Sequence, residues 1–395
     1  MNGFWDFVVR QPFGQSPLSL GDSPPTVNWF IPPASQNGGG HINLFRFAQG
    51  LQARGVAARV VVTNDGTLSP RLPVEQLRAE IQAWFGNFAG GVYYMDDDLP
   101  PAHASVATGW QTAYGVRAFR GSPLKYYFIQ DFEPWFYARG SEAIFAEETY
   151  RFGFTGLTAG GWLGRTMSEQ FGMPVHALGF SYDRELYSPR PRRQDGVRRL
   201  FFYARPETPR RGWELANVTL KRLHALQPDV EFVLAGGYVP PEAFDFPVFA
   251  PGAVLVKELA DLYSQCDCAL VLSFSNLSLL PLELMACGVP VVSNTGPNVE
   301  WLLNKENSFL SGPAPERLAE CVSSVFSLSP EKHAAARAKA LAFAASTDWE
   351  REIDKLADVI KSDFSRLRPR PSAPTGLSYL PTTPKPARSF RLTTA

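Results

Sequence analysis

The chain has 395 residues, 45% of them hydrophobic, and its 38 basic side chains balance 38 acidic ones. This length predicts two domains, and the balanced charge argues against a basic groove for nucleic acid. The sequence begins without a charged segment leading into a long apolar one and has no apolar run of about 18 residues, so we expect a cytoplasmic protein.

Alternating apolar strands and helices predict an α/β protein with parallel sheets. In the first half, a strand at 27–31, a loop at 32–40 and a largely apolar helix at 41–54 indicate the opening βαβ unit of a Rossmann-like domain. Further strands are predicted at 58–63, 91–95 and 124–129.

Three glycines stand where the first helix is predicted to begin. Gly38, Gly39 and Gly40 precede His41, and glycines let a ligand approach the backbone closely while the helix N-terminus attracts anions. A binding loop formed by Gly39, Gly40 and His41 is one interpretation. The other is a flexible turn, because the glycines lack the spaced pattern of a dinucleotide site.

An acidic and aromatic block follows the strand at 124–129. Asp131 and Glu133 stand there among the aromatic residues of 132–137, and carboxylates at the carboxyl end of a strand, beside rings that stack on sugars, indicate a carbohydrate site. The alternative is a set of structural aromatic residues with a capping aspartate.

The second half repeats the alternation of strands and helices. The predicted strands are 199–204, 231–235, 269–274 and 289–292, and the predicted helices are 213–226, 259–266, 318–326, 333–345 and 349–364. From residue 365 onward the sequence is rich in Pro, Ser, Thr and Arg, which predicts a disordered tail.

Three arginines follow the strand at 199–204. Arg205, Arg210 and Arg211 carry guanidinium groups whose N–H forks suit diphosphate oxygens, and the carboxyl end of a parallel strand lies at the ligand crevice. A solvated basic turn is the alternative.

The segment 275–294, SNLSLLPLELMACGVPVVSN, combines a carboxylate, a helix start and a buried strand. Pro281 suits the first turn of a helix and Gly288 its end, which puts Glu283 in the first turn. Backbone N–H groups around 278–280 would then face a diphosphate, and Glu283 could accept hydrogen bonds from ribose hydroxyls. Ordinary helix capping is the alternative.

This segment resembles the signature of glycosyltransferase family 4, in which two Glu residues separated by seven residues precede a Met-Ala-x-Gly-x-Pro-Val-Val-like run. Glu283 matches the second Glu, and the run follows it closely. Ser275 stands at the first Glu, which lies against the donor sugar in the family, while Asn276 and Ser278 stand where glycines are usual. The resemblance implies a GT-B fold, with two Rossmann-like domains whose parallel sheets face a cleft.

The resemblance also implies roles for the other candidate residues. Arg205 matches an arginine that neutralises the leaving nucleoside diphosphate, and Arg211, with Arg210 as a competitor, matches a lysine that does the same. The helix end near Leu279 would assist, and Gly39 and Gly40 would face the donor. Asp131 or Glu133 would orient the acceptor hydroxyl or stabilise the oxocarbenium-like sugar.

Retention of anomeric configuration is implied, without an enzymic nucleophile and without a metal. The four cysteines fit this expectation, because the closest pair, Cys266 and Cys268, lacks the spacing of a zinc site and indicates free thiols.

Segments 38–51, 130–137 and 146–154 are similar to the WsaF-type branch of bacterial rhamnosyltransferases. This implies transfer of rhamnose from dTDP-rhamnose to a glycan, free or lipid-linked, in cell-surface polysaccharide synthesis. The alternatives are UDP-hexose or GDP-mannose as donor, or a non-catalytic protein that binds nucleotide sugars or glycans. Aromatic clusters such as 135–137 leave open a peripheral contact with the inner face of the plasma membrane.

The predicted domain boundaries follow from these assignments. Residues 1–186 would form the acceptor-side domain and 187–347 the nucleotide-sugar domain, with 179–189 as the crossover between them. Residues 348–364 would form a helix packing back on the first domain, and 365–395 the tail.

Overall fold

The computed structural model describes residues 4–16, 24–36, 38–65, 70–86 and 88–367. The predicted disordered tail lies outside the described residues from 368 onward. Two parallel sheets form the framework, as the alternation of strands and helices predicts.

The first sheet has seven parallel strands in the order β3-β2-β1-β4-β5-β6-β7. They are β1 (Thr26–Ile31), β2 (Ala57–Val62), β3 (Val92–Tyr94), β4 (Ala104–Ala107), β5 (Leu124–Ile129), β6 (Thr155–Ala159) and β7 (Val175–Leu178). The helices of this half are α1 (Gly39–Ala53), α2 (Val74–Phe85), α3 (Trp110–Ala118), α4 (Ser141–Glu148) and α5 (Gly161–Phe171). The strand order reverses between β1 and β4, the place where ligand crevices form in such sheets.

The second sheet has six parallel strands in the order β10-β9-β8-β11-β12-β13. They are β8 (Arg198–Ala204), β9 (Val230–Gly236), β10 (Val248–Gly252), β11 (Cys268–Val271), β12 (Val291–Asn294) and β13 (Phe309–Ser311). The helices are α6 (Trp213–Leu226), α7 (Leu259–Ser264), α8 (Leu280–Ala286), α9 (Pro297–Glu300), α10 (Pro315–Phe326), α11 (Pro330–Ser346) and α12 (Trp349–Ser365).

Two predicted strands differ from the observed ones for reasons visible in the backbone. The strand predicted at 289–292 starts later, at Val291, because the Val289 N–H donates to the Leu284 carbonyl and closes α8. The strand predicted at 269–274 ends earlier, at Val271, because the Ser273 N–H donates to a side chain, that of Asn294.

The helix predicted at 41–54 begins two residues earlier than expected. Gly39 and Gly40 lie in the first turn of α1 and Gly38 caps it, so the preceding loop is shorter than predicted.

The last helix, α12, lies against the first half of the chain. Arg54, which follows α1, binds Asp354 at 2.6 Å and Glu350 at 2.9 Å, and the Tyr126 hydroxyl donates to Asp363 at 2.7 Å. None of the helices in the described part of the chain combines the length and apolar character that crossing a bilayer requires.

Candidate functional site

The carboxyl ends of β5 and β11 meet through the carboxyl group of Asp131. The Ser275 hydroxyl donates to Asp131 Oδ2 at 3.0 Å, and the Asn276 backbone N–H donates to Oδ1 at 2.6 Å. Parallel strands end at the same edge of a sheet, so this contact marks the place where the ligand crevices of the two sheets join.

Asn276 ties the two sheets together a second time. Its side-chain amide donates to the carbonyls of Gln130 at 3.0 Å and Ala159 at 2.9 Å, and its Oδ1 accepts from Trp301 Nε1 at 2.9 Å. The side chain is buried. Asn276 therefore positions the floor of the cleft.

Two asparagines that sequence reasoning missed hold the segment 273–276. Asn294 Oδ1 accepts from the Ser273 N–H at 2.9 Å. Asn298 Nδ2 donates to the carbonyls of Ser273 at 3.0 Å and Ser275 at 2.5 Å. Asn294 is the last residue of the buried strand β12, and Asn298 lies in α9, which follows it. Their position at the carboxyl end of a buried strand was the available signal.

The three candidate arginines point to different partners. Arg211 Nη1 donates to Ser273 Oγ at 2.9 Å and to the Asn276 carbonyl at 3.1 Å, so it supports the cleft floor from the second sheet. Arg205 is partly exposed and binds Glu207 at 2.5 Å and the Tyr203 hydroxyl at 3.0 Å.

Arg210 faces the first sheet. Its Nε lies 3.7 Å from Asp131 Oδ2, and its Cζ lies 4.0 Å from the centre of the Phe136 ring. Burial lowers the pKa of Arg210 against the attraction of Asp131. Burial likewise raises the pKa of Asp131, while Arg211, the Asn276 N–H and Arg210 oppose that rise. Positive charge therefore collects beside a single carboxyl group at the junction of the sheets.

Glu133 lies beneath this junction. Its carboxyl accepts from the Trp110 N–H at 2.6 Å, at the start of α3, and its own N–H donates to the Tyr150 hydroxyl at 3.0 Å. The side chain is buried, which raises its pKa to about 8. These contacts lie within the first half of the chain and are those of a helix-capping residue.

The first turn of α1, which contains Gly39 and Gly40, is connected to the cleft floor by Gln130. The Gln130 amide donates to the Gly40 carbonyl at 3.0 Å and accepts from Asn43 at 3.1 Å. A Cβ at Gly39 would meet no atom within 4 Å, so the backbone there is open to a ligand. His41 is separate from this group: its ring lies 6.1 Å from that of Phe85, and burial lowers its pKa.

Glu283 lies in the first turn of α8, as predicted from Pro281. Burial raises its pKa to about 7, against a hydrogen bond from the Tyr187 hydroxyl. Tyr187 stacks on Tyr263 at 6.1 Å, which fixes the wall beside the carboxyl group. Ser278 and Leu279 are partly exposed at the start of the same helix.

The geometry thus joins six of the thirteen sequence-predicted site residues around one cleft. Asp131 contacts Arg210, Ser275 and Asn276. Arg211 contacts Asn276, and Gly40 is joined to Asn276 through Gln130. Within the described ranges, no group of three or more His, Cys, Asp or Glu side chains is placed to hold a metal ion.

Comparison with known proteins adds two sequence relationships. Residues 198–323 match the family model described as WsaF, C-terminal domain. Over 379 residues the chain is 33% identical to the O-antigen biosynthesis protein RfbC of Myxococcus xanthus. The alignment covers 89% of this chain and 29% of that protein. The chain therefore spans less than a third of the length of this relative. The match to the WsaF C-terminal domain confirms the predicted resemblance to the WsaF branch.

Solved structures share the same architecture. HepE from Anabaena, in complex with UDP and glucose, has a TM-score of 0.63 and 16% identity over 85% of this chain and 99% of that chain. A glycosyltransferase from Rickettsia africae has a TM-score of 0.63 and 12% identity over 88% of this chain and 100% of that chain. At these identities the likeness establishes the fold, which is GT-B as predicted.

Proposed function

We propose that this GT-B protein is a glycosyltransferase that moves a sugar from a nucleoside diphosphate donor to a glycan in bacterial cell-surface polysaccharide synthesis. The observation that carries the proposal is the contact of Asp131 with Ser275 and Asn276, beside Arg210. A carboxyl group and cationic side chains at the junction of two parallel sheets suit a reaction in which a sugar gains positive charge and a diphosphate leaves.

The comparisons support the donor and the process. HepE is described with UDP and glucose, and RfbC is described as an O-antigen biosynthesis protein. The resemblance to WsaF-type rhamnosyltransferases supports rhamnose, from dTDP-rhamnose, as the sugar transferred. The reaction proposed is retaining and takes place in the cytoplasm.

The chemistry assigns a task to each side of the cleft. Negative charge develops on the diphosphate as the sugar departs, and guanidinium groups stabilise such charge through short, charge-assisted hydrogen bonds. Arg205 would exchange its exposed partner Glu207 for the diphosphate, while Arg211 keeps the segment 273–276 in place. Asp131, from the first sheet, would stabilise the positive sugar or orient the acceptor hydroxyl, and Glu283 would accept from ribose hydroxyls.

The cationic side chains supply the charge that a divalent metal would otherwise supply. We propose that the reaction needs no metal. Transfer should then persist after treatment with EDTA and dialysis.

One observation favours a second candidate, a non-catalytic protein that binds nucleotide sugars. Ser275 stands where the family has a carboxylate, and its hydroxyl is already used in donating to Asp131. Such a protein would bind nucleotide and turn over no donor.

The test is release of nucleoside diphosphate from dTDP-rhamnose, UDP-glucose and GDP-mannose, measured with and without EDTA. We expect dTDP release from dTDP-rhamnose, with transfer to water serving as the basal reaction. Arg205→Ala should lower kcat by about 10²–10³, because it removes one donor to the developing charge. The matched control, Arg222→Ala on the exposed face of α6, should keep the full rate. Binding of dTDP without release from any of the three donors would instead establish the non-catalytic candidate.

A further inference from the structure

Trp135 is an exposed aromatic side chain fixed at the edge of the cleft. It lies in the short helical turn Glu133–Phe136, which begins two residues after Asp131, and 52% of the residue is exposed. Its ring is held by Phe132 at 4.9 Å and by the buried Trp162 at 5.8 Å. One side of the ring is therefore packed and the remainder is open to solvent.

One buried donor without a hydrogen-bond partner lies beside this turn. Phe136, the next residue, packs under the Arg210 guanidinium. Arg210 Nε is buried, and among the described residues it has no hydrogen-bond partner; the nearest carboxylate oxygen, on Asp131, is 3.7 Å away. An open ring beside a buried, unpaired donor combines apolar and polar contacts within one subsite.

A pyranose ring matches this combination. Its C–H face packs on an aromatic ring, while its hydroxyls bind cationic and anionic side chains. An acyl chain or a membrane surface matches it poorly, because covering the turn with hydrocarbon would leave Arg210 Nε without a hydrogen-bond partner.

Position separates this subsite from that of the donor. Trp135 follows β5, a strand of the first sheet, whereas Arg205, Arg211 and Glu283 follow strands of the second sheet. We infer that Trp135 is the stacking platform for a pyranose ring of the acceptor, with Arg210 and Asp131 binding that ring's hydroxyls. The inference rests on the proposed function and assigns recognition of the glycan acceptor to one sugar ring stacked on Trp135.

The test uses saturation-transfer NMR on the full chain in the presence of dTDP. The probes are methyl α-L-rhamnopyranoside, methyl α-D-mannopyranoside and methyl α-D-galactopyranoside. We expect saturation of the ring protons of at least one glycoside. Trp135→Ala should raise its dissociation constant about three- to tenfold, and Trp135→Phe should raise it less. The matched control is Phe249→Ala, which removes another exposed ring, on β10, and should change nothing.

Three outcomes would overturn the inference. The first is the absence of saturation of all three glycosides in the unchanged protein. The second is saturation that is equal in Trp135→Ala and the unchanged protein. The third is sedimentation with phosphatidylglycerol vesicles that Trp135→Ala abolishes while glycoside binding persists, which would make the ring a membrane contact.

A separate thermal-shift titration with dTDP, UDP and GDP, without glycoside, distinguishes this failure from failure of the proposed function. A nucleotide shift without Trp135-dependent saturation overturns the acceptor inference alone. No shift with any nucleotide removes the proposed function, and the inference with it.

Discussion

Asp131 and Glu133 are two residues apart in the sequence, but their carboxyl groups lie in different surroundings. Asp131 accepts hydrogen bonds from Ser275 and Asn276 across the cleft, whereas Glu133 accepts from the Trp110 N–H inside the first half of the chain. Asp131 precedes the short helical turn Glu133–Phe136, whereas Glu133 is its first residue. Residue types and spacing place both carboxyl groups at the end of the strand, but only the packing decides which one faces the cleft.

The buried carboxyl of Glu133 should make stability depend on pH. Its pKa is raised to about 8, so between its ordinary value and pH 8 the native state keeps a proton that the unfolded chain releases. The free energy of unfolding should therefore fall as pH rises through that window, by at most about 1.4 kcal/mol per pH unit. Glu133→Gln, which cannot ionise, should lack this slope and exceed the unchanged protein in stability at pH 8.

Urea unfolding at a series of pH values between 5 and 9 measures this difference. Glu142→Gln, an exposed residue of α4, serves as the control and should follow the unchanged protein. Equal slopes in Glu133→Gln and the unchanged protein would show that Glu133 is ionised in the native state.

At the scale of elements, α8 and the segment 273–276 differ in how far sequence determines them. Pro281 and Gly288 punctuate α8, and Gly288 adopts a φ of +75° that favours glycine. The segment 273–276, in contrast, is shaped by Asn294 and Asn298, which bind carbonyls 21 to 25 residues away. Local pattern carries no information on such contacts, so the partners of these two asparagines could not have been predicted, although their position at the end of a buried strand marks them as candidates.

The packing of α1 on α12 depends on the absence of a side chain at Gly50. A Cβ there would lie 2.5 Å from Ile353 Cγ2, closer than real contacts allow. Helix propensity alone favours Gly50→Ala by about 0.5–1 kcal/mol. We nevertheless expect it to lower the free energy of unfolding by about 1–3 kcal/mol, because Ile353 must move within a packed core.

Chemical denaturation tests this sign directly. Gly161→Ala in α5, where the new Cβ would meet only the end of the Arg165 side chain, at 3.6 Å, is the control and should be nearly neutral. In a protein that already carries Ile353→Ala, Gly50→Ala should lower the free energy of unfolding much less, because the side-chain atoms that the new Cβ would meet are absent. A stabilising Gly50→Ala would mean that α1 and α12 are not packed as described.

At the scale of the whole molecule, the sequence predicts the fold class because both halves alternate strands and helices. β5 and α6 were predicted with their observed bounds. The short strands β4, β6 and β7 were missed because their four or five residues include small or polar ones, such as Ala104, Ser105 and Gly156, rather than a continuous apolar run.

The relation between the two sheets could not be read from periodicity. Asp131 and Ser275 are 144 residues apart in sequence, and only the packed molecule shows that they share a hydrogen bond. Resemblance to a known family supplied the expectation of a cleft, and the described contacts identify the side chains that form it.

Nucleotide binding in the cleft can be measured by a thermal-shift titration of the chain and of Arg205→Ala against dTDP, UDP, GDP and dTDP-rhamnose. A ligand that binds only the native state adds about 2.7 kcal/mol of stability at roughly 100 times its Kd. We expect dTDP and dTDP-rhamnose to raise the Tm selectively and Arg205→Ala to abolish the increase. An unchanged Tm with every nucleotide would contradict the account, because the cleft would then lack the nucleotide site on which the proposed function depends.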